Sequence, residues 1–512
     1  MDAIALSIFA NRIDAICEEM GVTLQKAAFS PNIRDRLDYS CAVFDASGEL
    51  CAQAAHIPVH LGSMAYAMAS LVQSIDWQQG DMVVVNDPFM GGTHLPDVTM
   101  IMPVFVEGDL LGFVANRAHH ADIGAETPGS MPLSSSLQQE GVVISPTRLI
   151  KSGELNAVQW AELMSAMRNP VESMGDFNAQ IAANRRGHNR LMALINSMSI
   201  SEYQGALVAL NNYAEQLALA SFKEIADGDY VFSDMLDDDG LGHSDIEIRA
   251  TLKVRQGEVS LDFAGTSPQV NGNVNCPLSV TAAAVYYVFR CMLPVQTPAC
   301  AGSFRPINIS APKGCLLNAE YPAAVAAGNV ETSTRIVDVV LGALAQAIPE
   351  KIPAASHGSM NNIAMGYVGD AQQAAWDYYE TIGGGMGASA VSDGLDAVQT
   401  HMTNTLNTPI ESLEMNYPLR VKRYQVRRGS GGEGRHRGGD GLVREFEFLA
   451  PTEVTVLSER RRHAPWGIKG AEYGTRGLNH SGQTELSGKF HRYFEKGDTL
   501  TIETPGGGGL SL

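Results

Sequence analysis

The sequence predicts an α+β fold built from several lobes. At 512 residues the chain is too long for one ordinary hydrophobic core, so two or three packed lobes are expected. Strand and turn patterns dominate up to about residue 150, and apolar residues three and four apart indicate helices from Glu154 to Ile225. We therefore expect a β-rich lobe at 1–150, a helical segment at 151–228, a central α+β lobe at 229–400 and a Gly-rich, β-rich lobe at 401–512.

The N-terminal lobe opens with a predicted helix and continues in strands. The helix should end before Pro31, because its apolar residues recur at roughly helical intervals up to that point: Ile4, Ile8, Ile13, Ile16, Met20 and Leu24. The run from Tyr39 to Phe44, followed by Asp45-Ala46-Ser47-Gly48, is typical of a strand that enters a hairpin. A second buried strand is predicted from Asp81 to Val85.

Beyond residue 228 the patterns alternate. Asp237-Asp238-Asp239-Gly240 predicts a solvated turn that precedes strands at 245–264, since the acidic triplet lacks the spaced ligands and the distal Glu of a calcium loop. Residues 277–295 and 329–348 are predicted to be helical. The glycine of Ala327-Gly328-Asn329 suits a turn where two backbones approach closely.

Composition limits the possible partners and compartments. The net charge is −20, with 56 acidic against 36 basic residues, which argues against binding to nucleic acid or an anionic membrane. The seven cysteines form no CxxC pair and are expected to be reduced thiols. The N-terminus lacks the pattern of a signal peptide, and no apolar run is long enough to cross a bilayer. These features predict a cytoplasmic protein.

The chemistry is concentrated in two short clusters, Asn86 to Asp97 and Arg117 to Asp122, with a strand-like run between them. His94 and Asp97 are three residues apart across a Leu-Pro that bars a regular helix, so a rigid loop must present them. Imidazole nitrogen and carboxylate oxygen suit zinc, manganese or iron, and a site with three or four protein ligands keeps a position open. Alone, such residues would more often be turn formers and hydrogen-bond partners.

The histidine pair that ends the returning strand offers two choices. Consecutive strand residues point to opposite faces, so one of His119 and His120 faces the metal. We predict His119, because it continues the face of Ala115 and Arg117, although periodicity alone leaves His120 open. Further candidates near the pair are Asp122 and Glu126 for proton transfer, His120 to orient them or the substrate, and Arg117, whose planar fork matches phosphate oxygens.

Two other motifs match known sites only formally. Gly429-x-Gly431-x-x-Gly434 fits the dinucleotide fingerprint, but the residues after it cannot start a helix that would hold a pyrophosphate. His56 and His60 have the spacing of zinc-protease ligands, but no Glu follows His56 and a proline lies between them. These two histidines remain candidates to line the substrate cleft, or they form a satisfied pair at a strand-loop junction. The sequence contains no phosphate-binding P-loop.

The blocks NDPFMGGTHLPDVTMIMPVF and GFVANRAHHADIGAETPGSMP resemble the hydantoinase B family, which includes 5-oxoprolinases, lactamase subunits and the metal subunits of ketone carboxylases. The resemblance spans nearly the whole chain, and further blocks that carry it are NIRDRLDYSCAVFD, HIPVHLGSM, LDFAGTSPQVNGNVN, AAVAAGNVETSTRIVD, HMTNTLNTPIE and SGGEGRHRGGDGLVRE. It implies a fourth metal ligand, Asp38, where spacing alone would favour an ion pair with Arg34 or Arg36.

The resemblance also implies a division of labour between two different chains. A hydantoinase A-type companion would bind ATP and phosphorylate the amide oxygen of a hydantoin, 5-oxoproline or lactam, and this chain would hydrolyse the activated intermediate at one divalent metal ion. Two copies of each chain are expected. Two alternatives are the metal subunit of an ATP-dependent ketone carboxylase, against which the compact length argues, and a non-catalytic assembly subunit, against which the intact ligand set argues.

Overall fold

The structure is a computed structural model that describes residues 2–55, 57–369 and 374–511. Helices and strands are interleaved throughout, which confirms the predicted α+β class. The α-helices are α1 (Ala3–Ala27), α2 (Pro31–Arg34), α3 (Pro58–Gln73), α4 (Ala157–Ser165), α5 (Pro170–Asn196), α6 (Ile200–Phe222), α7 (Leu278–Cys291), α8 (Ser333–Leu344) and α9 (Ile410–Asn416).

The first sheet contains the predicted metal-site segment, and all of its neighbouring strands are antiparallel. Its strands are β1 (Tyr39–Asp45), β2 (Leu50–Ala55), β3 (Met82–Val85), β4 (Asp97–Val106), β5 (Asp109–His119), β6 (Thr147–Lys151) and β7 (Glu154–Leu155). The spatial order is β2-β1-β5-β4-β3-β6-β7, so the hairpin β4-β5 lies in the middle.

Three further sheets follow along the chain. The second has the order β11-β10-β9-β8 and consists of β8 (Gly228–Asp238), β9 (Ser244–Arg255), β10 (Glu258–Asp262) and β11 (Ile307–Ser310). The third has the order β13-β12-β16-β19 and consists of β12 (Asn362–Tyr367), β13 (Trp376–Glu380), β16 (Thr452–Leu457) and β19 (Lys489–Phe494). The fourth has the order β14-β15-β20-β17-β18 and consists of β14 (Leu419–Arg427), β15 (Gly441–Phe448), β17 (Leu478–Ser481), β18 (Thr484–Leu486) and β20 (Thr499–Glu503).

The opening helix forms where the apolar pattern predicts it. Asp2 caps α1, because its side chain accepts a hydrogen bond from Ala5 N at 2.8 Å and satisfies one of the free N–H groups of the first turn. The buried face begins at Phe9 and continues through Ile13 and Met20 to Leu24. The first turns do not take part, since Ile4 and Ile8 are exposed.

The two faces of the first sheet have different partners, and this difference determines which side chains can meet. Helix α5 packs on β4 and β5 from one side. On the other side, Ile101, Phe113 and Ala115 join a core that also contains α3, α7 and α8 and extends to Leu457 in the third sheet. Residues from all four predicted segments contribute to this core, so the side chains on this face of β4-β5 are far from solvent.

The acidic turn is one point where the prediction is partly wrong. Asp237 and Asp238 end β8, and Asp239 and Gly240 begin the turn to β9, but Asp237 and Asp239 are each only 1% exposed, so these two carboxylates are not solvated. Their carboxylates accept backbone N–H groups, from Arg461 and His463 for Asp237 and from Leu241 and His243 for Asp239. A buried carboxylate is tolerated there because such donors replace water.

The remaining element predictions agree with the structure. Helices α4, α5 and α6 occupy the predicted helical segment, and α7 and α8 lie within the two later helical ranges. A π-helical turn, Gly328–Thr332, precedes α8. All seven cysteines are free thiols. In the described part of the chain, every helix is either too short or too polar to cross a membrane.

Candidate metal centre

The register of the hairpin β4-β5 brings Asp97 and His119 together. They lie directly opposite each other in the antiparallel ladder, and such pairs point to the same face of a sheet. His120 therefore points to the opposite face, where its Nε2 donates to Gln180 Oε1 on α5 at 2.9 Å and its ring lies 4.4 Å from that of Phe177. The structure thus groups His119, and not His120, with Asp97.

The loop before β4 is held rigidly and presents His94. Asn86 fastens it on both sides, because its Nδ2 donates to Leu95 O and Val142 O, each at 2.9 Å, and its Oδ1 accepts Ile144 N at 2.7 Å. The loop also needs glycine at position 92, where a Cβ would lie 2.4 Å from Asn86 O. His94 is fully buried.

The three side chains form a compact donor group. His94 Nε2 and His119 Nδ1 each lie 3.1 Å from Asp97 Oδ1. One ligand atom from each residue can be chosen so that all three atoms lie within 4.8 Å of one another. Two imidazoles and one carboxylate are a donor set that suits zinc, manganese or iron.

The protonation of His94 supports a cation at this position. His94 Nδ1 lies 3.1 Å from the carbonyl oxygen of Ala326, to which it must donate a hydrogen. In the neutral ring Nε2 then carries a lone pair, and this lone pair faces a carboxylate oxygen. Two acceptors repel unless a proton or a metal ion lies between them. A metal-ligating histidine typically has this tautomer, in which the second ring nitrogen donates to a carbonyl.

The buried ring nitrogens point to the same conclusion. His94 Nε2 and His119 Nε2 are both buried, and neither has a hydrogen bond among the described residues; His119 Nδ1 is hydrogen-bonded to Asp97 Oδ1 at 3.1 Å, so Nε2 is the ring nitrogen of His119 that remains for a ligand. An unsatisfied buried nitrogen is costly unless a ligand occupies its lone pair. The residues present therefore fit a divalent ion.

The second oxygen of Asp97 is fixed by three neighbours from distant parts of the chain. Asp97 Oδ2 accepts Thr93 Oγ1 at 2.6 Å and Asn329 Nδ2 at 3.2 Å, and it lies 3.3 Å from His60 Nε2. His60 is in turn close to Ser40, with 3.3 Å between Nδ1 and Oγ. These contacts leave Oδ1 as the oxygen that faces His94 and His119.

Charge balance within the cluster follows from these contacts. Burial alone would raise the pKa of Asp97, but His94, His60 and His119 together hold it well below its usual range. Burial lowers the pKa of His94, and the charge of Asp97 more than reverses this, so that the pKa of His94 is raised. Asp97 is therefore a carboxylate and can act as the anionic ligand.

Asp38 and Tyr379 complete the wall around His119. Asp38 is buried and lines, with Asp97 and His119, a cavity of about 20 Å³, while its backbone oxygen accepts His119 N at 3.0 Å. Its carboxylate is 3.9 Å from Arg36, and Arg34 pairs with Asp35 instead. Tyr379 stacks on the His119 ring, with 4.6 Å between centroids. Ligation by Asp38 stays a prediction.

Comparison with known proteins identifies the family of this chain. Residues 2–511 match the family model described as hydantoinase B/oxoprolinase. The chain belongs to the hydantoinase B/oxoprolinase family. Among relatives, this chain is 40% identical to 5-oxoprolinase 1 of Arabidopsis thaliana. The match covers 99% of this chain and 42% of the Arabidopsis protein, so this chain spans about two fifths of that relative's length. It is 33% identical to a protein of Pseudomonas sp. strain NS671 named as the B-type component of a D-/L-hydantoinase, covering 99% of this chain and 90% of that one.

Solved structures share the fold. The ATP-dependent caprolactamase of Pseudomonas jessenii superposes with a TM-score of 0.92 at 27% identity, over 100% of this chain and 91% of that one. A nucleotide-free acetone carboxylase superposes with a TM-score of 0.89 over 100% of this chain and 76% of that one; at 18% identity this likeness concerns the fold alone. The resemblance inferred from the sequence is therefore confirmed at the level of the family.

The structure does not bring all the predicted site residues of this hydantoinase B family member to the cluster. Glu126 is exposed, whereas the cluster is buried. The carboxylate of Asp122 accepts Gly124 N and Asn169 N, so it fastens the start of α5. His120 lies on the opposite face, as described above. His56 lies outside the described residues.

Arg117 lies on the same face of the sheet as Asp97 and His119, but its guanidinium group is already hydrogen-bonded within the protein. Its side chain is 1% exposed, and it donates to Thr99 Oγ1, Ser63 Oγ and Gly91 O at 2.8, 2.6 and 3.0 Å. Burial lowers its pKa to about 10. These contacts join the metal-site loop to α3 and β4, which is a supporting role. A contact between Arg117 and phosphate stays a prediction.

Several important neighbours were not predicted from the sequence. One is Glu140, whose Oε1 accepts Val325 N at 2.8 Å and Ala326 N at 2.9 Å and so fixes the peptide whose oxygen orients His94. Others are Asn329, Thr93 and Tyr379. For Asn329, the sequence contained one usable signal, the close-approach turn predicted around Gly328. A Cβ at Gly328 would lie 1.8 Å from Asn275 O, and the same turn places the Asn329 side chain against Asp97.

Replacing Glu140 by glutamine is expected to raise the melting temperature at pH 8 and leave it unchanged at pH 4.5. Burial raises the pKa of Glu140 from 4.5 to about 7. The native state then keeps a proton that the unfolded chain has released, so the wild type loses stability as the pH rises from about 4.5 to about 7. Glutamine keeps the acceptor oxygen without this loss. We expect a gain on the order of 2–5 °C at pH 8.

Differential scanning fluorimetry of chelator-treated protein at both pH values provides the measurement. Glu126→Gln is the matched control, because this exposed glutamate lies in the same loop region. An equal gain for Glu140→Gln at both pH values would contradict the linkage argument.

Proposed function

We propose that this chain is the metal-dependent hydrolytic subunit of an ATP-dependent cyclic amidohydrolase. The observation that carries the proposal is the buried group of His94, Asp97 and His119, in which His94 Nε2 and His119 Nδ1 both lie 3.1 Å from one oxygen of Asp97. The names of its relatives, which refer to 5-oxoprolinase, D-/L-hydantoinase and ATP-dependent caprolactamase, support cyclic amides as the substrate class. They leave the ring itself open.

The cluster residues have separable tasks in this proposal. His94, Asp97 and His119, with Asp38 at the edge of the cavity, would hold one divalent ion. When bound, such an ion lowers the pKa of water and stabilises developing negative charge on oxygen. Thr93 and Asn329 hold the carboxylate of Asp97 in one orientation, and Tyr379 fixes the plane of His119. Burial of the whole group excludes bulk water, which strengthens every charge interaction within it.

His60 can hold a proton beside the carboxylate of Asp97. If Ser40 Oγ donates to His60 Nδ1, then His60 Nε2 carries a hydrogen and donates it to Asp97 Oδ2. His60 thereby stabilises the ionised form of Asp97 without competing for Oδ1. This arrangement gives His60 an orienting task beside the proposed metal ligands, while a contact between His60 and substrate stays a prediction.

ATP is proposed to act through a companion chain. An unstrained amide is a poor electrophile, and relatives named as ATP-dependent supply the activation from the nucleotide. This chain has no P-loop, and the glycines at 429–434 follow β14 without a helix after them. A hydantoinase A-type partner would therefore phosphorylate the amide oxygen and pass the intermediate to this chain.

We expect the purified chain alone neither to bind ATP at micromolar concentration nor to open a cyclic amide. With the A-type companion, ATP and zinc or manganese, it should open hydantoin, 5-oxoproline or caprolactam and release one phosphate per ring. Calorimetry with ATP and a coupled phosphate assay, with product identification by mass spectrometry, test this. Ring opening that persists without ATP, or after complete removal of metal, would contradict the proposal. Incorporation of labelled bicarbonate into a ketone would favour the carboxylase alternative.

The companion should form a stable complex with this chain. A phosphorylated intermediate is lost if it reaches bulk water, so a closed path between the two proteins is advantageous. Two copies of each, related by a two-fold axis, are expected, since closed symmetry is the commonest arrangement. Size-exclusion chromatography with light scattering on the co-expressed pair measures the mass. Separate monomers at micromolar concentration would rule out the assembly.

A further inference from the structure

The small cavity at the metal cluster has threonines in its wall. The cavity measures about 20 Å³, which is enough for a single water molecule. Asp97 and His119 line it from the hairpin β4-β5. Three threonines line it from the end of β13 and from the segment 399–408: Thr381, Thr403 and Thr405. These hydroxyls have no task in the chemistry described so far.

A buried arginine contacts two of these threonines. Arg36 is fully buried, and its Nη2 donates to Thr381 Oγ1 at 3.2 Å and to Thr405 Oγ1 at 3.4 Å. Its Nη1 donates to Tyr379 O at 2.8 Å, which fixes the guanidinium group in place. Among the described residues its one ion-pair partner is Asp38, whose carboxylate oxygen is 3.9 Å away. The two hydroxyls therefore accept hydrogen bonds from a cation that no carboxylate binds closely.

Counting donors and acceptors gives the direction of the hydrogen bond between the two hydroxyls. Thr381 Oγ1 receives one hydrogen from Arg36 and a second from Gln399 Nε2 at 3.3 Å. The orientation of the Gln399 amide follows from its other contact, because Nε2 also lies 3.4 Å from Thr381 O, and a carbonyl oxygen can only accept. Both lone pairs of the Thr381 hydroxyl are then occupied. Its own hydrogen therefore goes to Thr405 Oγ1, 2.7 Å away.

The same count leaves the Thr405 hydroxyl with a hydrogen to donate. Its oxygen accepts from Arg36 and from Thr381, so both of its lone pairs are used. Among the described residues no further hydrogen bond is formed by this hydroxyl, so its hydrogen has no acceptor within the protein. The space that remains next to Thr405 is the cavity that it lines. The O–H of Thr405 is therefore a free donor beside the metal cluster.

Such a donor suits an oxygen atom that carries negative charge. A hydroxyl that accepts hydrogen bonds from a cation donates more strongly, because hydrogen bonds in a chain polarise one another. Donors that are fixed in advance stabilise the negative charge that develops on oxygen during hydrolysis of an amide or an activated amide. The carboxylate of Asp97 lines the same cavity and can only accept. An oxygen atom held there therefore needs a donor from another part of the wall.

We propose that Thr405 is a catalytic residue, whose hydroxyl donates a hydrogen bond to the oxygen atom that occupies the cavity, and that Arg36 and Thr381 are positioning residues for this hydroxyl. The inference rests on the proposed function, since it assigns a further task in that hydrolysis. It requires no additional space, because the acceptor is one atom and not a whole ring. Loss of the Thr405 hydroxyl should weaken the binding of a one-atom anion in the cavity and leave the affinity for metal unchanged.

Fluoride is the probe, because it is a one-atom anion that accepts hydrogen bonds and fits the space of one water. Fluorine NMR relaxation measures its binding to the Mn²⁺-loaded chain, and electron paramagnetic resonance measures the Kd for Mn²⁺. We expect the Kd for fluoride to rise about 10-fold or more in Thr405→Val and to stay within about 3-fold in Thr405→Ser, which keeps the hydroxyl. Thr408→Val is the matched control, since it removes a buried hydroxyl from the same segment outside the cavity lining.

Circular dichroism establishes that the variants fold, and Thr405→Ala replaces Thr405→Val if the valine variant does not. No fluoride binding by the Mn²⁺-loaded wild type at millimolar concentration would overturn the proposal. So would the wild-type Kd for fluoride in a folded Thr405→Val or Thr405→Ala, or an equal rise in Thr408→Val.

A second measurement separates this inference from the proposed function. In the complex with the A-type companion, Thr405→Val should lower kcat for ring opening on the order of 100-fold and leave KM nearly unchanged, because the donor acts on charge that develops in the transition state. Fluoride binding that depends on Thr405, with no ring opening by the wild-type complex, would refute the proposed function and leave the donor assignment standing. Ring opening by Thr405→Val with the wild-type kcat would refute the inference and leave the function standing.

Discussion

Replacing His119 by alanine is expected to abolish metal binding, whereas replacing its neighbour His120 leaves the metal bound. The two histidines are consecutive and both buried, but only His119 lies on the face of Asp97. His120 contacts Gln180 and Phe177 beneath α5. The loss of affinity for zinc in His119→Ala should exceed about 100-fold, because removal of residues that merely orient a ligand already costs roughly 10- to 100-fold.

Competition with a chelating dye gives the affinity, and elemental analysis of the dialysed protein gives the stoichiometry. Both variants remove a buried ring, so His120→Ala controls for lost packing; circular dichroism should show the same helix content in both. His94→Ala should behave like His119→Ala and lose metal and turnover together while keeping the fold. Equal metal loss in His119→Ala and His120→Ala would contradict the assignment, since the sheet faces would then not discriminate between them.

The grouping of His94, Asp97 and His119 in the candidate metal centre was predictable because these residues are close in sequence. His94, Asp97 and His119 belong to one hairpin and the loop before it, and strand alternation relates their directions. The hairpin register then decides which pairs face each other. That register follows from the burial of Ile101 and Ala115 on the same face as Asp97.

The surroundings of the cluster were not predictable, because they depend on long-range packing. Glu140, Asn329 and Tyr379 come from a short helical turn, a π-helical turn and the third sheet, and each reaches the cluster only through packing between segments far apart in sequence. The local sequence pattern contains no information about these long-range contacts. The sequence likewise left His60 open between a cleft residue and a satisfied pair, and in the structure it lines the cavity at the cluster and lies 3.3 Å from the buried oxygen of Asp97.

The glycine-rich C-terminal segments show another limit of local patterns. From the sequence, the glycines after residue 400 indicate only a Gly-rich, β-rich lobe. In the structure, the segments 383–387, 431–439 and 505–509 are bonded to one another: Gly439 N donates to Met386 O at 2.8 Å, and Gly507 N donates to Gly439 O at 2.9 Å. Gly439 and Gly507 are buried in this contact. The glycines therefore form an internal backbone-to-backbone packing layer.

Replacing Gly439 by alanine is expected to destabilise the protein by on the order of 3 kcal/mol or more, because overpacking against backbone cannot be relieved by rotating a side chain. A Cβ at this position would lie 1.9 Å from Leu395 O and 3.0 Å from Met386 N. Gly205→Ala is the matched control: this exposed glycine lies in α6, a Cβ there meets no atom within 4 Å, and alanine should stabilise the helix by about 0.5–1 kcal/mol. Thermal scanning of both variants under identical conditions measures the difference, and the melting temperature should fall in Gly439→Ala and rise slightly in Gly205→Ala. Equal melting temperatures would mean that the three glycine segments separate easily, and the packing layer would then contribute little to the fold.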